Sequence, residues 1–470
     1  MPDRTLLVID QAPADVGACC SACAQPAPAP SPADITVIAA PAGALGVRRR
    51  PIARDQDRRL TVAGVLIAVG FILAAVIVAL LGASSGGIAW LPLHLALAGG
   101  AGTAVASVLP FFTTALAVAA PASPWLRAGA IGLVAIGAAS VSVSVAGGDA
   151  FLGHIGGSAY LAGIVGVAIV AFKPLRGALG PRRRPVEVAY AVALLHVAIS
   201  VTIATAFLAG WMPVMERWAV LKPAHAWLNV VGFISLVIVA TLVHLAPTVE
   251  GTRIRPRRSV TVAIGGIALG VPMVAAGYAL DADLLARAGA LVALAGGIGV
   301  PVHALAVARD RGRWTTDPGW HRLTTNSLRA ASGWFAVAIL VAAGRVVWLG
   351  ANPAGWSIGL VAAPLAIGWV LQVLIASWSH LLPAIGPGDQ RAHATQRRIL
   401  GRMALVRSIA LNVGVGLLWI GSALEVPIVA IIGGAAVAAA LLGAVTLAGA
   451  AVWSGMRTGT RPAGLVVGHN

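Results

Sequence analysis

The sequence predicts an all-α polytopic membrane protein with about twelve transmembrane helices. Of its 470 residues, 59% are hydrophobic and only 10% are charged, and the mean hydropathy is +0.89. A soluble protein of this length could not cover so much apolar surface, whereas about 20 consecutive apolar residues suffice to span a bilayer. Gly and Ala are abundant in the apolar stretches, and small residues favour close helix packing in lipid.

Apolar spans separated by short loops follow a polar amino-terminal segment. Their predicted limits are 60–82, 88–112, 125–146, 150–173, 186–210, 218–246, 259–280, 283–309, 322–349, 357–382, 402–423 and 427–452. Residues 1–59 are rich in Ala, Pro and charge, and we expect them to form a disordered cytoplasmic tail. Residues 60–453 then form the transmembrane domain, and residues 454–470 a cytoplasmic carboxy-terminal tail.

All three cysteines, Cys19, Cys20 and Cys23, lie in the amino-terminal tail within the sequence CCSAC. Thiolates at C-x-x-C spacing suit Cu(I) or Zn(II), because two soft ligands can chelate one ion from a single turn. A second cysteine pair is absent, so a tetrahedral site would need ligands from elsewhere. The alternative is a reduced tail without a metal.

The basic residues predict the orientation of the spans. With the amino terminus inside, all but four of the 33 Lys and Arg residues lie on the inner side, the exceptions being Arg217, Lys222, Arg287 and Arg345. This positive-inside pattern explains the net charge of +17 as membrane topology and not as a nucleic-acid-binding surface. We therefore expect a multi-pass protein of a bacterial inner membrane with both termini in the cytoplasm.

Span six carries a histidine near each end, His225 and His244, and Asn229 follows the first histidine by one helical turn. Imidazole and carboxamide groups are uncommon inside a bilayer, where an unpaired polar group is costly. In a helix with a rise of about 1.5 Å per residue, the two histidines lie roughly 28 Å apart. They therefore mark opposite sides of the membrane and cannot bind the same metal ion.

Both ends of span six recur in other spans. A stretch of span six that ends in HLAP aligns without a gap with a stretch of span ten that ends in HLLP, so His244 and His380 share a position. At the other end, PLHLAL in span two parallels PAHAWL in span six, and His94 and His225 each follow a proline by two residues. Spans two, six and ten thus form a series, which predicts a pseudo-threefold repeat of four helices.

The chain resembles subunit I of the haem–copper oxidases in three features: twelve spans, a cytoplasmic amino terminus, and histidines on spans two, six and ten. That fold consists of three pseudo-symmetric groups of four helices. The stretches PLHLALAGG and AHAWLNVVGF are also similar to the membrane region of some bacterial multicopper oxidases and copper nitrite reductases. In overall architecture the chain is also similar to the haem- and copper-containing NnrS membrane proteins. The resemblance implies a haem–copper-oxidase-like bundle. It also implies that His94 matches a low-spin haem ligand and that His225 lies on the helix of a copper-ligating histidine.

The ligand set of such an oxidase is incomplete in this sequence. Asn229 stands where the oxidases carry a tyrosine, and span seven, residues 259–280, lacks their histidine pair. Span ten has only the inner-end His380. We therefore do not expect a complete oxygen-reducing centre, and the resemblance leaves the scaffold with one haem or copper site.

His94 and His225 are the leading candidate ligands for haem or copper, with Asn229 beside them. Bis-imidazole ligation of haem needs two neutral imidazoles across one iron and small residues where the macrocycle lies. Two alanines follow His94 at one- and two-turn spacing, and Asn229 and Gly232 follow His225 in the same way. Imidazole is also a suitable copper ligand. Alternatively, each imidazole hydrogen-bonds a neighbouring backbone group or Asn229, and the chain binds no cofactor.

Three further histidines are secondary candidates. His244 and His380, at the inner ends of their spans, could cap the headgroup interface, bind a second metal or contact a quinone-type headgroup. His196 lies in the middle of span five and is the deepest histidine, so it needs a partner. His303 and His154 are weaker candidates.

These observations predict an integral membrane protein that binds haem or copper and acts in electron transfer or in metal or nitrogen-oxide metabolism. Its expected partners are the lipid bilayer and a copper enzyme or cytochrome. One alternative is a transporter or permease without a redox cofactor, and another is a membrane partner of a separate copper enzyme. All 16 acidic residues lie in loops, tails or span ends. Cation-coupled transporters usually carry a carboxylate in mid-membrane, which weighs against the transporter.

Overall fold

A computed structural model describes residues 49–85, 90–179, 184–311, 320–356 and 358–459, and all regular structure in these residues is helical. Twelve of the described helical segments are long and apolar enough to cross a membrane, which confirms the predicted number of spans. They are α1 (Gln56–Gly82), α2 (Trp90–Ala117), α3 (Pro124–Gly147), α4 (Ala150–Gly177), α5 (Arg184–Leu208), α6 (Trp218–Glu250), α7 (Arg258–Ala279), α8 (Asp283–Arg309), α9 (His321–Leu349), α10 (Pro353–Ile385), α11 (Ala404–Ala423) and α12 (Pro427–Arg457).

Two helices extend past the apolar spans that they contain. The helix that includes α1 begins at Arg49, upstream of the boundary predicted at residue 60, and the helix that includes α12 continues to Gly459. A further short helix, Gln390–Leu400, connects α10 to α11 and is capped by the Asp389 carboxylate, which accepts from the backbone nitrogen of Ala392 at 2.9 Å. The predicted cysteine site at CCSAC lies outside the described residues.

The outer surface of the bundle is apolar over the length of the spans. Leu66, Leu284 and Ile136 are among many large apolar side chains that are more than half exposed. Trp125 and Trp348, at the ends of α3 and α9, are 86% and 82% exposed. A water-soluble fold does not tolerate an apolar surface this continuous, whereas a lipid-facing surface requires it. The architecture is that of a multi-pass membrane protein.

Three helices lie deeper in the bundle than the others. In the most apolar window of each span, 78% of the residues of α6, 61% of those of α2 and 50% of those of α10 are buried. The corresponding share is 44% or less in each of the other described spans. Spans two, six and ten, which the sequence grouped by their histidines, are therefore the three most buried spans.

The same three helices contain π-helical turns. These are Leu95–Ala101 in α2, Trp227–Ser235 in α6 and Ala363–Leu371 in α10. A π-helix shifts each backbone hydrogen bond to the fifth residue along the chain, is rare, and occurs frequently at functional sites. The segments in α2 and α6 begin within two residues of the candidate ligands His94 and His225.

Glycines bring three consecutive pairs of helices into near-backbone contact. A methyl group added to these glycines would come closer than 3 Å to the neighbouring backbone. The added carbon would lie 2.6 Å from the Gly156 oxygen of α4 at Gly137 of α3, 2.4 Å from the Ala293 nitrogen of α8 at Gly270 of α7, and 2.9 Å from the Gly433 oxygen of α12 at Gly414 of α11. Only glycine permits this approach, and the gain is extensive van der Waals contact in the absence of a hydrophobic driving force between helices in lipid.

The end of the bundle where α6 finishes and α7 begins carries clustered arginines, and we call it the arginine-rich end. A buried ion pair between Arg127 of α3 and Asp57 of α1 lies there. The Arg127 Nη2 also donates to the Thr61 hydroxyl at 2.8 Å and to the Ser107 carbonyl oxygen of α2 at 2.7 Å. The guanidinium thereby joins the first three helices, and its charge is compensated where it is out of contact with solvent.

Candidate metal centre

The structure places the two leading candidate ligands at the same end of the bundle, on α2 and α6. His94 is the last residue before the π-helical segment of α2, and His225 lies two residues before the segment of α6. Both side chains are half-buried at the end of the bundle opposite the arginine-rich end. They lie close enough for the two imidazoles to interact electrostatically. This juxtaposition depends on how α2 and α6 pack, since the histidines are far apart in sequence.

A hydrogen-bond network with Ser200 of α5 fixes the ring of His225. The His225 Nδ1 lies 3.1 Å from the Ser200 carbonyl oxygen and 2.9 Å from its Oγ. Because a carbonyl oxygen only accepts, Nδ1 carries the hydrogen and Nε2 keeps its lone pair. The Ser200 Oγ in turn donates to the His225 carbonyl oxygen at 3.1 Å. Histidines that ligate metals are typically oriented in this way, by a backbone carbonyl on the other ring nitrogen.

Asn229 completes this network one turn further along α6. Its Nδ2 donates to the Ser200 Oγ at 2.5 Å and to the His225 carbonyl oxygen at 3.0 Å. Its Nδ2 also lies 3.3 Å from the His225 Nδ1 and 3.2 Å from the Nε2, so the amide packs against the ring while both of its hydrogens are donated elsewhere. Asn229 therefore holds the network in place and leaves the Nε2 lone pair unused.

His94 is held differently. Its ring stacks on Trp90, with 4.3 Å between the ring centroids and 25° between the planes. Trp218 lies 6.1 Å from the His225 ring and stacks on Phe207 of α5. Within the described part of the chain, the His94 imidazole makes no hydrogen bond, so its ring nitrogens are available to a ligand. Aromatic rings thus shield both imidazoles at this end of the bundle.

The donor set determines which metal groups fit. Among the described residues, no three His, Cys, Asp or Glu side chains are grouped so that they could hold an ion. Two imidazoles are the number that haem iron requires, because the macrocycle supplies the other four nitrogens. A copper ion also accepts imidazole, but it would need at least one more ligand or the two-coordinate Cu(I) state.

The small residues expected to leave room for a macrocycle are packed by neighbouring helices. A methyl group on Gly232 would lie 2.7 Å from the His196 Nδ1 and 2.9 Å from Val271 of α7. On α2, Ala101 is 2% exposed, and the adjacent Gly102 faces the Tyr160 hydroxyl, which lies 2.3 Å from the corresponding methyl position. These faces are therefore already filled by side chains of α4, α5 and α7.

His196 has a structural partner. Its Nδ1 donates to the Gly232 carbonyl oxygen at 3.0 Å, and the side chain is 3% exposed. Gly232 lies in the π-helical segment of α6, where the shifted backbone pattern presents a carbonyl to α5. The Tyr160 hydroxyl reaches the Ala98 carbonyl of the α2 segment in a similar way, at a longer 3.4 Å. The deepest histidine therefore joins α5 to α6.

The histidines at the arginine-rich end have different neighbours. His244 is buried and lines a small cavity of about 20 Å³ together with Tyr190 and Glu187. His380 lies against His321, the first residue of α9, with ring centroids 6.1 Å apart and the rings perpendicular. Sequence reasoning assigned no role to His321, because its pairing with His380 arises only when the ends of α9 and α10 meet.

Comparison with models of known protein families gives no match to this sequence, and comparison with curated proteins gives none.

Proposed function

We propose that this chain is an integral membrane protein that binds a redox metal, as haem iron or as copper, between His94 and His225. The observation that carries the proposal is the orientation of His225, whose Nδ1–H is donated to the Ser200 carbonyl and whose Nε2 lone pair is left for a ligand. The second imidazole lies within electrostatic reach. In this arrangement His94 and His225 hold the metal, Ser200 orients the ring of His225, and Trp90 and Trp218 restrict the approach of water.

A metal bound there would supply one-electron chemistry, and electron transfer is the role we propose for it. The metal or nitrogen-oxide metabolism implied by the family resemblance provides the context. Electron transfer requires a donor and an acceptor, so a cytochrome or a copper enzyme is the expected class of protein partner. With the arginine-rich end in the cytoplasm of a bacterial cell, both termini are cytoplasmic and the His94–His225 site lies near the outer surface.

We further propose that the bundle is a pseudo-threefold repeat of four helices of the kind found in haem–copper oxidases. Three features support it. The π-helical segments lie in α2, α6 and α10, the same helices are the most buried, and the glycine-packed pairs α3–α4, α7–α8 and α11–α12 each follow one of them. Internal repeats of this type are common in membrane folds.

The test is an absorption spectrum combined with metal analysis of the full-length protein, purified in detergent from cells supplied with iron, copper and a haem precursor. Haem gives a Soret band that shifts on reduction, and copper gives a stoichiometric metal content without that band. His94→Ala and His225→Ala should each lower the metal content by about tenfold or more, since each removes half of the protein's ligands. His154→Ala, a change at an exposed histidine at the start of α4, is the matched control and should have no effect.

Protein that carries neither a Soret band nor stoichiometric iron or copper would overturn the proposal. So would a metal that remains at full occupancy in both histidine variants, because it would then be bound elsewhere, for example at CCSAC. A Cys19→Ser, Cys20→Ser, Cys23→Ser triple variant separates the two sites.

A further inference from the structure

A short basic helix at the arginine-rich end forms a surface that the proposed metal site does not use. The helix Gln390–Leu400 connects α10 to α11, where the chain turns at the end of the bundle. Ala392, Gln396 and Leu400 recur at every fourth position and are buried, and Leu400 packs in one apolar cluster with Ala451 of α12. One side of this connecting helix therefore packs against the bundle, and the opposite side faces outward.

Arginines occupy the outward side of the connecting helix. Arg391 and Arg398 are exposed and lie about two helical turns apart on the same side, and the exposed Arg402 follows just after the helix ends. We call these three residues the basic face. Residues 390–402 contain no acidic side chain, and the preceding Asp389 carboxylate caps the helix. Among the residues that the structure describes, none of the three arginines has an ion-pair partner.

The arginines at the ends of α6 to α9 are arranged differently, although they lie at the same end of the bundle. Arg257 donates to the Asp310 carboxylate at 2.5 Å, and Arg255 lies 3.7 Å from the same carboxylate. The Arg329 Nε and Nη2 donate to the two carboxylate oxygens of Glu250 at 2.8 and 2.7 Å. Acidic side chains therefore compensate these guanidinium groups, whereas the charge of the basic face has to be compensated from outside the chain.

The basic face lies at the depth of lipid headgroups. Met403, Leu405 and Val406 directly follow it at the start of α11 and are 68%, 65% and 57% exposed, so the lipid-facing surface begins there. On the adjacent α12, Trp453 is more than half exposed, and the Arg457 guanidinium lies 4.9 Å from the centre of its ring. Tryptophan is enriched at the boundary between acyl chains and headgroups, so this pair marks the same boundary beside the connecting helix.

Hydrogen bonds fix the backbone that carries the basic face. Arg407 of α11 is 8% exposed, and its Nη1 donates to the Leu400 carbonyl oxygen at 2.9 Å and to the Arg402 carbonyl oxygen at 3.3 Å. The Gln396 Nε2 donates to the Pro387 carbonyl oxygen, ahead of the helix, at 2.8 Å. Because the helix is tied to its flanking segments, a ligand would not have to order the backbone in order to bind.

We propose that the basic face binds the phosphate groups of an anionic phospholipid, with Met403, Leu405 and Val406 against its acyl chains. A phosphodiester supplies the negative charge that the chain lacks here, and guanidinium groups bind phosphate oxygens through paired N–H donors. Clusters of basic side chains at the ends of transmembrane helices bind anionic headgroups in this way. A soluble phosphate would make the same polar contacts without covering the adjacent apolar side chains. The site is independent of the metal proposed between His94 and His225.

The test is lipid binding to the full-length protein in detergent, measured by native mass spectrometry with dioctanoyl phosphatidylglycerol and with zwitterionic dioctanoyl phosphatidylcholine. We expect the wild type to bind phosphatidylglycerol about tenfold more tightly than phosphatidylcholine. Arg398→Gln should lower the affinity for phosphatidylglycerol about fivefold, and the triple variant Arg391→Gln, Arg398→Gln, Arg402→Gln about tenfold or more. Arg255→Gln is the matched control, because this exposed arginine at the same end lies beside Asp310, and it should bind like the wild type.

Three results would overturn the proposal. They are equal affinity of the wild type for the two lipids, unchanged affinity of the triple variant for phosphatidylglycerol, and displacement of phosphatidylglycerol by inorganic phosphate at equal concentration. The last result would identify a site for a soluble anion. If the triple variant aggregates on gel filtration, the comparison of Arg398→Gln with Arg255→Gln decides the question. Equal affinities of these two single variants would then contradict the proposal.

Discussion

The surroundings of His225 and His303 differ although both imidazoles lie on apolar helices of one bundle. His225 is held by Ser200 and Asn229 in a network that fixes both the ring plane and the tautomer. His303 lines a cavity and has no hydrogen-bond partner in the described residues. The first arrangement presents one lone pair in one direction, which is what a metal ion requires. The second leaves both ring nitrogens without a protein partner among the described residues.

The comparison also shows how position along a helix determines what an imidazole can do. His225 precedes a π-helical segment, where irregular backbone lets α5 approach α6 and supply the Ser200 carbonyl. His303 lies in an α-helical stretch of α8 that has no π-helical segment, two residues after Pro301. A histidine in a regular transmembrane helix can find a partner only on another helix or in a ligand.

The largest effect is expected for His225→Leu. This change removes the Nδ1–H donor to the Ser200 carbonyl oxygen and the ring against which the Asn229 amide packs, so the free energy of unfolding should fall by about 3 kcal/mol. Ser200→Ala should cost less, because the backbone carbonyl that accepts from Nδ1 remains. Thermal unfolding of the detergent-purified variants measures both. Equal stability of His225→Leu and the wild type would show that the network contributes nothing to the fold.

A smaller loss is expected for Gly232→Ala. The added methyl group would lie 2.7 Å from the His196 Nδ1, so His196 would be displaced from the Gly232 carbonyl at a cost of about 2 kcal/mol. Gly265→Ala on α7 is the matched control, since a methyl group there meets no atom within 4 Å. The difference in melting temperature between the two variants is the measurement. A control as destabilised as Gly232→Ala would contradict this explanation.

The smallest effect, and one of opposite sign, is expected for His303→Leu. Replacing an unpaired buried imidazole by an apolar side chain of similar size should raise the free energy of unfolding by about 1 kcal/mol in ligand-free protein. His154→Leu, at an exposed position, should leave it nearly unchanged. A destabilised His303→Leu variant would mean that the imidazole has a partner in the fold. The opposite signs at His225 and His303 would directly confirm the contrast between the two sites.

The sequence predicted the coarse fold because hydropathy is a local property. Each span contains enough consecutive apolar residues to cross a membrane whatever its neighbours are, so the twelve spans could be located without knowledge of their packing. Grouping spans two, six and ten by their histidines also selected the three most buried helices. The residues at the inner ends were harder to interpret from sequence. His380 lies against His321, and no sequence pattern singles out His321.

Tertiary structure decided which polar groups meet. His94 and His225 are separated by three helices in the chain. His196 finds its partner only because the α6 backbone at Gly232 faces α5. The π-helical segments have no recognisable residue pattern, because they depend on contacts across the bundle. An apolar stretch in lipid determines that a transmembrane helix forms, but it does not determine which neighbouring helices that helix contacts. The sequence alone therefore determined a twelve-span membrane protein with candidate histidines, while packing determined that Ser200 and Asn229 hold the ring of His225 and that His303 has no hydrogen-bond partner among the described residues.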